Sequence, residues 1–405
     1  MKKKPLNILF YWHFHQPYYF DLVTSEFKLP WVMLHSIKDY YYLGRLIKDY
    51  PEEHFTFNFV PSLIEQIEIY LREKHNVKDR FISIVLKPTA DLNEDDKLFL
   101  LKNFFFANWD KMISPLPRYR ELLDKRGRFI SKGILLERLR YWNTQDFIDL
   151  QVLFHLCWFD PISTREILFI AELKKKGKGF TEQDKIDLIG YEFSILEKII
   201  PLYKELWSSG QVEVTATPYY HPIMPLLYNS NSAKVEMPDW EPLRKPFSHP
   251  EDVEYHINAA LCFFQERFHR RPRGMWPSEG SVSKEIIPMI SKYGIEWIAT
   301  DEEILSRSVN NGIHRNSIGE IENPEYLYRA FNLNVDDRSI NIVFRDHKLS
   351  DNFAFNYHQI PSNIAVNNFM KYLEKVYEKL PNDGYEYGLS IIMDGENAWE
   401  YYDNN

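Results

Sequence analysis

Leu389-Ser390-Ile391-Ile392-Met393-Asp394-Gly395-Glu396 reads as a short strand that ends on two acids. Apart from Ser390 the run is apolar throughout, as in a strand covered on both faces. Asp394 then emerges at its C-terminal end. Working outward, six more runs of β-branched, aromatic or other apolar residues have the same form. They are Asn7–Phe14, His54–Val60, Val212–Thr217, Arg273–Trp276, Trp297–Thr300 and Ser339–Phe344, and with Leu389–Met393 they predict seven strands.

Between these runs the pattern changes period. Apolar residues at three- and four-residue spacing predict helices over Asp95–Trp109, Tyr191–Trp207, Pro250–Phe268, Lys284–Tyr293 and Ser362–Leu380. Strands alternating with helices argue for a parallel α/β sheet, here a barrel spanning residues 1–405. The long stretch between the second and third strands has almost no strand signal and many aromatics. Residues 80–210 are therefore expected to form a helical insertion.

Polar clusters follow six of the seven strands. The first runs into His13, His15 and Gln16, and the third into Tyr219, Tyr220 and His221. The fourth runs into Ser278 and Glu279, the fifth into Asp301, Glu302 and Glu303. The sixth runs into Arg345, Asp346 and His347, and the seventh into Asp394, Glu396 and Asn397. Parallel strands bring their C-terminal ends to one edge, which in barrels carries the active site. A single polar residue there is a cap or a turn. Six clusters on one edge are harder to explain that way.

Glu279 stands in Gly274-Met275-Trp276-Pro277-Ser278-Glu279-Gly280-Ser281, a Pro- and Gly-bounded turn that would present a carboxylate. Such a group suits a nucleophile or a base. The plain alternative is that Ser278 or Ser281 caps a helix starting near Val282, with Glu279 favourable in its first turn. Asp394 leaves a buried strand end, where partial desolvation beside other acids holds a proton and suits a general acid. It too has a plain alternative as a turn residue. Two carboxylates on strand tips are what glycoside hydrolysis requires. Asp301, Glu302, Asp346 and Asp351 compete for either role on position alone. His13 and His15 lie on one face of a strand and, with Asp301 or Asp346, would also suit a metal-dependent deacetylase. Hydrogen bonding to sugar hydroxyls or carboxylates is the alternative.

Composition narrows the classes. Of 405 residues 44% are hydrophobic and 26% charged, ordinary globular usage that excludes disorder and coiled coil. The net charge of −9 argues against a nucleic-acid protein. Cys157 and Cys262 alone cannot make a disulfide scaffold or a Cys-rich zinc site, and a reducing cytoplasm is the simpler expectation. Lys2, Lys3 and Lys4 before Leu6–Trp12 resemble a signal peptide, but Asn7 interrupts the run and no cleavage site follows. No apolar stretch approaches a membrane span. Aromatics reach 16%, which fits sugar stacking and equally a large aromatic core.

Four blocks resemble glycoside hydrolase family 57. They are Trp12-His13-Phe14-His15-Gln16-Pro17-Tyr18-Tyr19, then Gly210-Gln211-Val212-Glu213 through Tyr219-Tyr220-His221-Pro222-Ile223. Trp276-Pro277-Ser278-Glu279 and Asp394-Gly395-Glu396-Asn397-Ala398-Trp399-Glu400 complete the set. The likeness is greatest to the amylopullulanase and α-amylase branch. It implies a (β/α)7 barrel, a distorted TIM-like fold, with the nucleophile Glu279 on the fourth strand and the acid/base Asp394 on the seventh. It implies retaining cleavage of α-glucosidic bonds with no cofactor and no metal. His15, His221 and Trp276 would line the sugar subsite.

The remaining candidate substrate contacts are His13, Gln16, Glu213, Tyr220, Asp301, Arg345, Asp346, His347, Glu396 and Trp399. The family resemblance also leads one to expect a C-terminal helical region with a fifth, Trp-rich block, which the 405 residues do not include. The expected partner is an α-glucan polysaccharide or oligosaccharide, with no nucleic acid and no membrane; self-association stays open. The alternatives are a 4-α-glucanotransferase, the metal-dependent carbohydrate deacetylase and a non-catalytic glucan-binding protein.

Overall fold

The computed structural model describes residues 3–403, apart from Pro242, Asn311, Asn397 and Ala398 and the side chain of His75. Seven strands pair in parallel. They are β1 (Asn7–Phe14), β2 (Phe55–Phe59), β3 (Val212–Ala216), β4 (Gly274–Met275), β5 (Trp297–Asp301), β6 (Arg338–Arg345) and β7 (Gly388–Asp394). Each pairs with the next, and β7 pairs back with β1, so the sheet closes into a (β/α)7 barrel. The seven runs expected from sequence are these strands, the first with the expected bounds and the others with ends shifted by no more than one residue.

The alternation of side chains along each strand decides what enters the barrel. Tyr11, Trp276, Ala299 and Ile392 form one buried cluster, with Leu9, Trp297 and Val343 packed against it. These residues come from β1, β5, β6 and β7 and from the position after β4. His13, Asp301, Arg345 and Asp394 each lie two residues beyond a member of the cluster, on the same side of their strands. The other side packs outward. Phe14 meets Phe57 and Phe59 there, with ring centroids 5.3 and 5.0 Å apart. A β-carbon on Gly395 would sit 2.1 Å from the Phe14 ring, so only glycine lets the chain leave β7 past that ring.

Among the described residues three strands lie outside the seven expected: Phe20–Asp21 and Glu26–Phe27, which pair with each other, and one on the barrel sheet. Phe331–Val335 pairs antiparallel with β6. Its Phe-Asn-Leu-Asn-Val alternation is a strand signal, but asparagine is depleted in strands and hides it. Asp336, left-handed at φ 53°, makes the turn. The expected helix over Pro250–Phe268 is present with those bounds, and that over Ser362–Leu380 ends at Lys379.

The chain forms two compact units. The barrel unit comprises Met1–His15, Glu53–Ile64 and Trp207–Gly395. The second comprises Gln16–Glu52, Glu65–Leu206 and Glu396–Asn405. The latter is helical, and its core is aromatic: Phe81, Phe104 and Phe154 pack together, and Trp158 is fully buried beside Trp31 and His35. Much of the aromatic content is thus core rather than sugar platform. Among the described residues no helix is long and apolar enough to cross a membrane.

Candidate active site

Strand register sets the site. His13 lies beside Asp394 on one side and Asn58 on the other, and Asn58 lies beside Thr215. Asp301 lies beside Arg345. Because these residues share the inward side, their side chains gather at the C-terminal mouth of the barrel.

Glu279 follows β4 in a single turn, Ser278–Gly280, and its backbone is left-handed at φ 55°. The helix after it starts at Ile286 rather than near Val282, so Glu279 is not in that helix's first turn and the capping alternative falls away. Its side chain is 71% exposed. Nδ1 of His221 lies 3.8 Å from Glu279 Oε1. His221 is also left-handed, at φ 57°. A residue without a glycine's freedom in this region signals a locally imposed geometry.

Three histidines stack beside this glutamate. The ring centroids of His15 and His221 are 4.2 Å apart, those of His13 and His221 5.2 Å, and those of His13 and His15 5.8 Å. Burial and the neighbouring imidazoles push His221 down to about 2. Burial and His13 push His15 down to about 4, against the pull of Asp394. Both are therefore neutral near pH 7. Nε2 of His221 is buried and has no hydrogen-bond partner among the described residues. Trp276 is buried edge-on to Tyr11 and lies 6.3 Å from the His13 ring.

A second constellation follows β5 and β6. Arg345 spans Asp301 (3.3 Å) and Asp351 (2.7 Å), and donates from Nε to the carbonyl of Ile392 at 2.9 Å. His347 spans the same two carboxylates, at 3.3 Å from Asp301 and 2.9 Å from Asp351. Asp301, Arg345, Asp351 and His347 thus form a closed ring of two carboxylates and two basic side chains. Asp301 additionally caps the helix Glu302–Ser308, accepting from the Glu303 amide. With both acids paired to Arg345 and to His347, this ring suits substrate orientation more than proton transfer.

Two expected contacts are corrected. Asp346 is 0% exposed and cannot meet a substrate. It accepts from Tyr328 (2.5 Å), Arg315 (3.1 Å) and the Leu349 amide (2.8 Å), capping the helix His347–Asp351. Position on a strand tip was a true signal, but its side chain turns into the packing behind the tip. Glu213 is the second residue of β3 and so lies toward the N-terminal end of the barrel, away from the mouth. It accepts from Nε1 of Trp297, the first residue of β5, at 3.0 Å.

Tyr220 is exposed beside Tyr219, with ring centroids 4.7 Å apart. Gln16, Glu396 and Trp399 belong to the second unit. Within it, Glu396 is buried and accepts from Gln16 at 3.3 Å and from the Tyr40 hydroxyl at 3.2 Å. Trp399 packs on Tyr402. Asn397 lies outside the described residues. Among the described residues no cluster of three or more His, Cys, Asp or Glu side chains is placed to hold a metal ion. Sequence reasoning missed Asn58 and Thr217, which bond to one another at 2.9 Å beneath His13. The available signal was a lone asparagine in an otherwise aromatic strand end.

The family model of glycosyl hydrolase family 57 matches residues 9–405. No curated protein matches in sequence. The solved structures that share the fold include the following three. The family 57-type branching enzyme of Pyrococcus horikoshii is 15% identical with a TM-score of 0.51, covering 98% of this chain and 64% of its own. The α-amylase AmyC of Thermotoga maritima is 12% identical with a TM-score of 0.51, covering 98% and 68%. The branching enzyme TK1436 of Thermococcus kodakaraensis is 13% identical with a TM-score of 0.51, covering 99% and 66%. The chain thus spans about two thirds of the length of each.

Proposed function

Because the chain belongs to glycosyl hydrolase family 57, we propose that it cleaves α-glucosidic bonds of starch- or glycogen-type glucans with retention of configuration. Glu279 attacks the anomeric carbon and Asp394 protonates the departing glycosidic oxygen, leaving a covalent glycosyl-enzyme. Asp394, now a base, takes a proton from water, which attacks the same carbon and releases Glu279. The observation that carries this reading is the glutamate itself: exposed, left-handed and 3.8 Å from a histidine kept neutral by burial. The names of the fold relatives, an α-amylase and two branching enzymes, support an α-glucan as the substrate class.

The α-amylase or amylopullulanase type is the form of the reaction we favour. If a sugar hydroxyl replaces water in the second step, the same residues perform transfer, as in a 4-α-glucanotransferase. Arg345, His347 and Asp301 orient the glucan in this reading, with His13, His15, His221, Trp276 and Tyr220 lining the sugar subsite. The test is product analysis by proton NMR on maltooligosaccharides and pullulan. New α-configured reducing ends are expected. β-configured products overturn retention, and zinc-dependent release of acetate from acetylated sugars with no glucan cleavage overturns the proposal.

A further inference from the structure

Asn58 is fully buried at the end of β2, and its amide has one satisfactory orientation. Nδ2 lies 3.2 Å from the carbonyl oxygen of Thr215 and 3.1 Å from its hydroxyl. A carbonyl oxygen has no proton to give, so the amide nitrogen must face it. Turned over, the amide would set two carbonyl oxygens 3.2 Å apart. Oδ1 of Asn58 therefore faces Nδ1 of His13, at 2.6 Å. Oδ1 only accepts, so Nδ1 must carry a hydrogen.

Below, the Tyr11 hydroxyl meets the Thr215 hydroxyl at 2.6 Å. Burial raises the Tyr11 phenol far above its ordinary range, so it stays protonated and can donate upward. Thr217 places one hydroxyl proton between two acceptors, Asn58 Oδ1 at 2.9 Å and the Trp276 carbonyl at 2.8 Å. Sharing that proton is a smaller loss than facing two carbonyls.

We propose that Asn58 is a positioning residue that fixes a hydrogen on Nδ1 of His13, so that in the neutral ring Nε2 is the bare acceptor for a substrate hydroxyl. In this state His13 selects an O–H donor and discriminates against an ether or fluorine at the same sugar position. The substrate half of this inference rests on the proposed function; the tautomer half does not.

The full chain, labelled with ring-¹⁵N histidine and free of glucan, is measured by NMR near neutral pH, with His13 assigned by the signal lost in His13→Gln. A pyrrole-type Nδ1 and a pyridine-type Nε2 are expected; the reverse pattern overturns the proposal. Asn58→Leu, which removes the acceptor, is expected to shift His13 toward the other tautomer and to lower kcat/KM on maltooligosaccharides on the order of 10–100-fold, mostly through KM. An Asn58→Leu protein with the tautomer unchanged overturns it, and the wild-type spectrum decides the matter if that variant does not fold. The expected tautomer in a protein that leaves α-glucans untouched supports the assignment of Asn58 and overturns the proposed function instead.

Discussion

Nδ1 of His221 lies 3.8 Å from Oε1 of Glu279, and both residues hold left-handed backbones, at φ 57° and 55°. Each such conformation costs on the order of 1–3 kcal/mol outside glycine. Two of them at one barrel mouth bring a carboxylate and an imidazole within 3.8 Å of each other.

If Glu279 is the nucleophile, Glu279→Gln forms no glycosyl-enzyme. Mass spectrometry with a slow fluorinated glucosyl substrate is expected to show one added glycosyl mass in the wild type and none in the variant. Turnover on glucan should fall by about 10³-fold or more. A labelled Glu279→Gln protein would move the nucleophile elsewhere.

The role of Asp394 is read from leaving groups. Asp394→Asn is expected to slow cleavage of unactivated glucan by about 10²–10⁴-fold. Aryl glucosides that need no protonation should suffer much less in the bond-breaking step. Equal loss on both substrates argues for a purely structural aspartate, and full activity on glucan would pass the role to another acid such as Asp301.

The neutral histidines make stability depend on pH. His221 and His15 are pushed down to about 2 and about 4 from an ordinary 6.5, so between those values the unfolded chain binds more protons than the folded one. Their contribution is therefore complete above pH ~6.5 and is lost as pH falls, until about 4 for His15 and about 2 for His221. Each group adds at most about 1.4 kcal/mol per pH unit across its window. Thermal melts should show Tm falling from pH ~6.5 downward, and less steeply in His221→Asn. An unchanged slope in that variant would refute the linkage.

Asp346 separates fold from function. Asp346→Ala leaves Arg315 with Glu302 but removes the acceptor shared by Tyr328, Arg315 and the Leu349 amide. A loss of about 3–5 kcal/mol in denaturant unfolding is expected, with KM for glucan unchanged in the protein that remains folded. A large KM effect without destabilisation would return Asp346 to the site.

Chelation tests the histidines' chemistry. Nδ1 of His13 is engaged by Asn58. Exhaustive treatment with a chelator should leave glucan turnover undiminished. Activity lost and then restored by zinc would favour the deacetylase reading.

The amino-acid order alone determined that seven buried strands alternate with helices, because burial on both faces leaves an apolar run that survives any detail of packing. It also placed Glu279 and Asp394 after the fourth and seventh of them. What it left open was the direction of each side chain at the tips. Asp301 and Arg345 end their strands and share a ring with Asp351 and His347, while Asp346, one residue on, turns into the packing with Arg315 and Tyr328. That choice belongs to strand register, which brings Asp301 beside Arg345 and His13 beside Asn58. Register depends on pairings between residues tens to hundreds of positions apart, and moving one strand by a single residue would turn every tip residue to the other face. For the same reason Asn58 went unnoticed: a lone asparagine in an aromatic strand gains its meaning only when the closing barrel sets it against His13, Thr215 and Thr217.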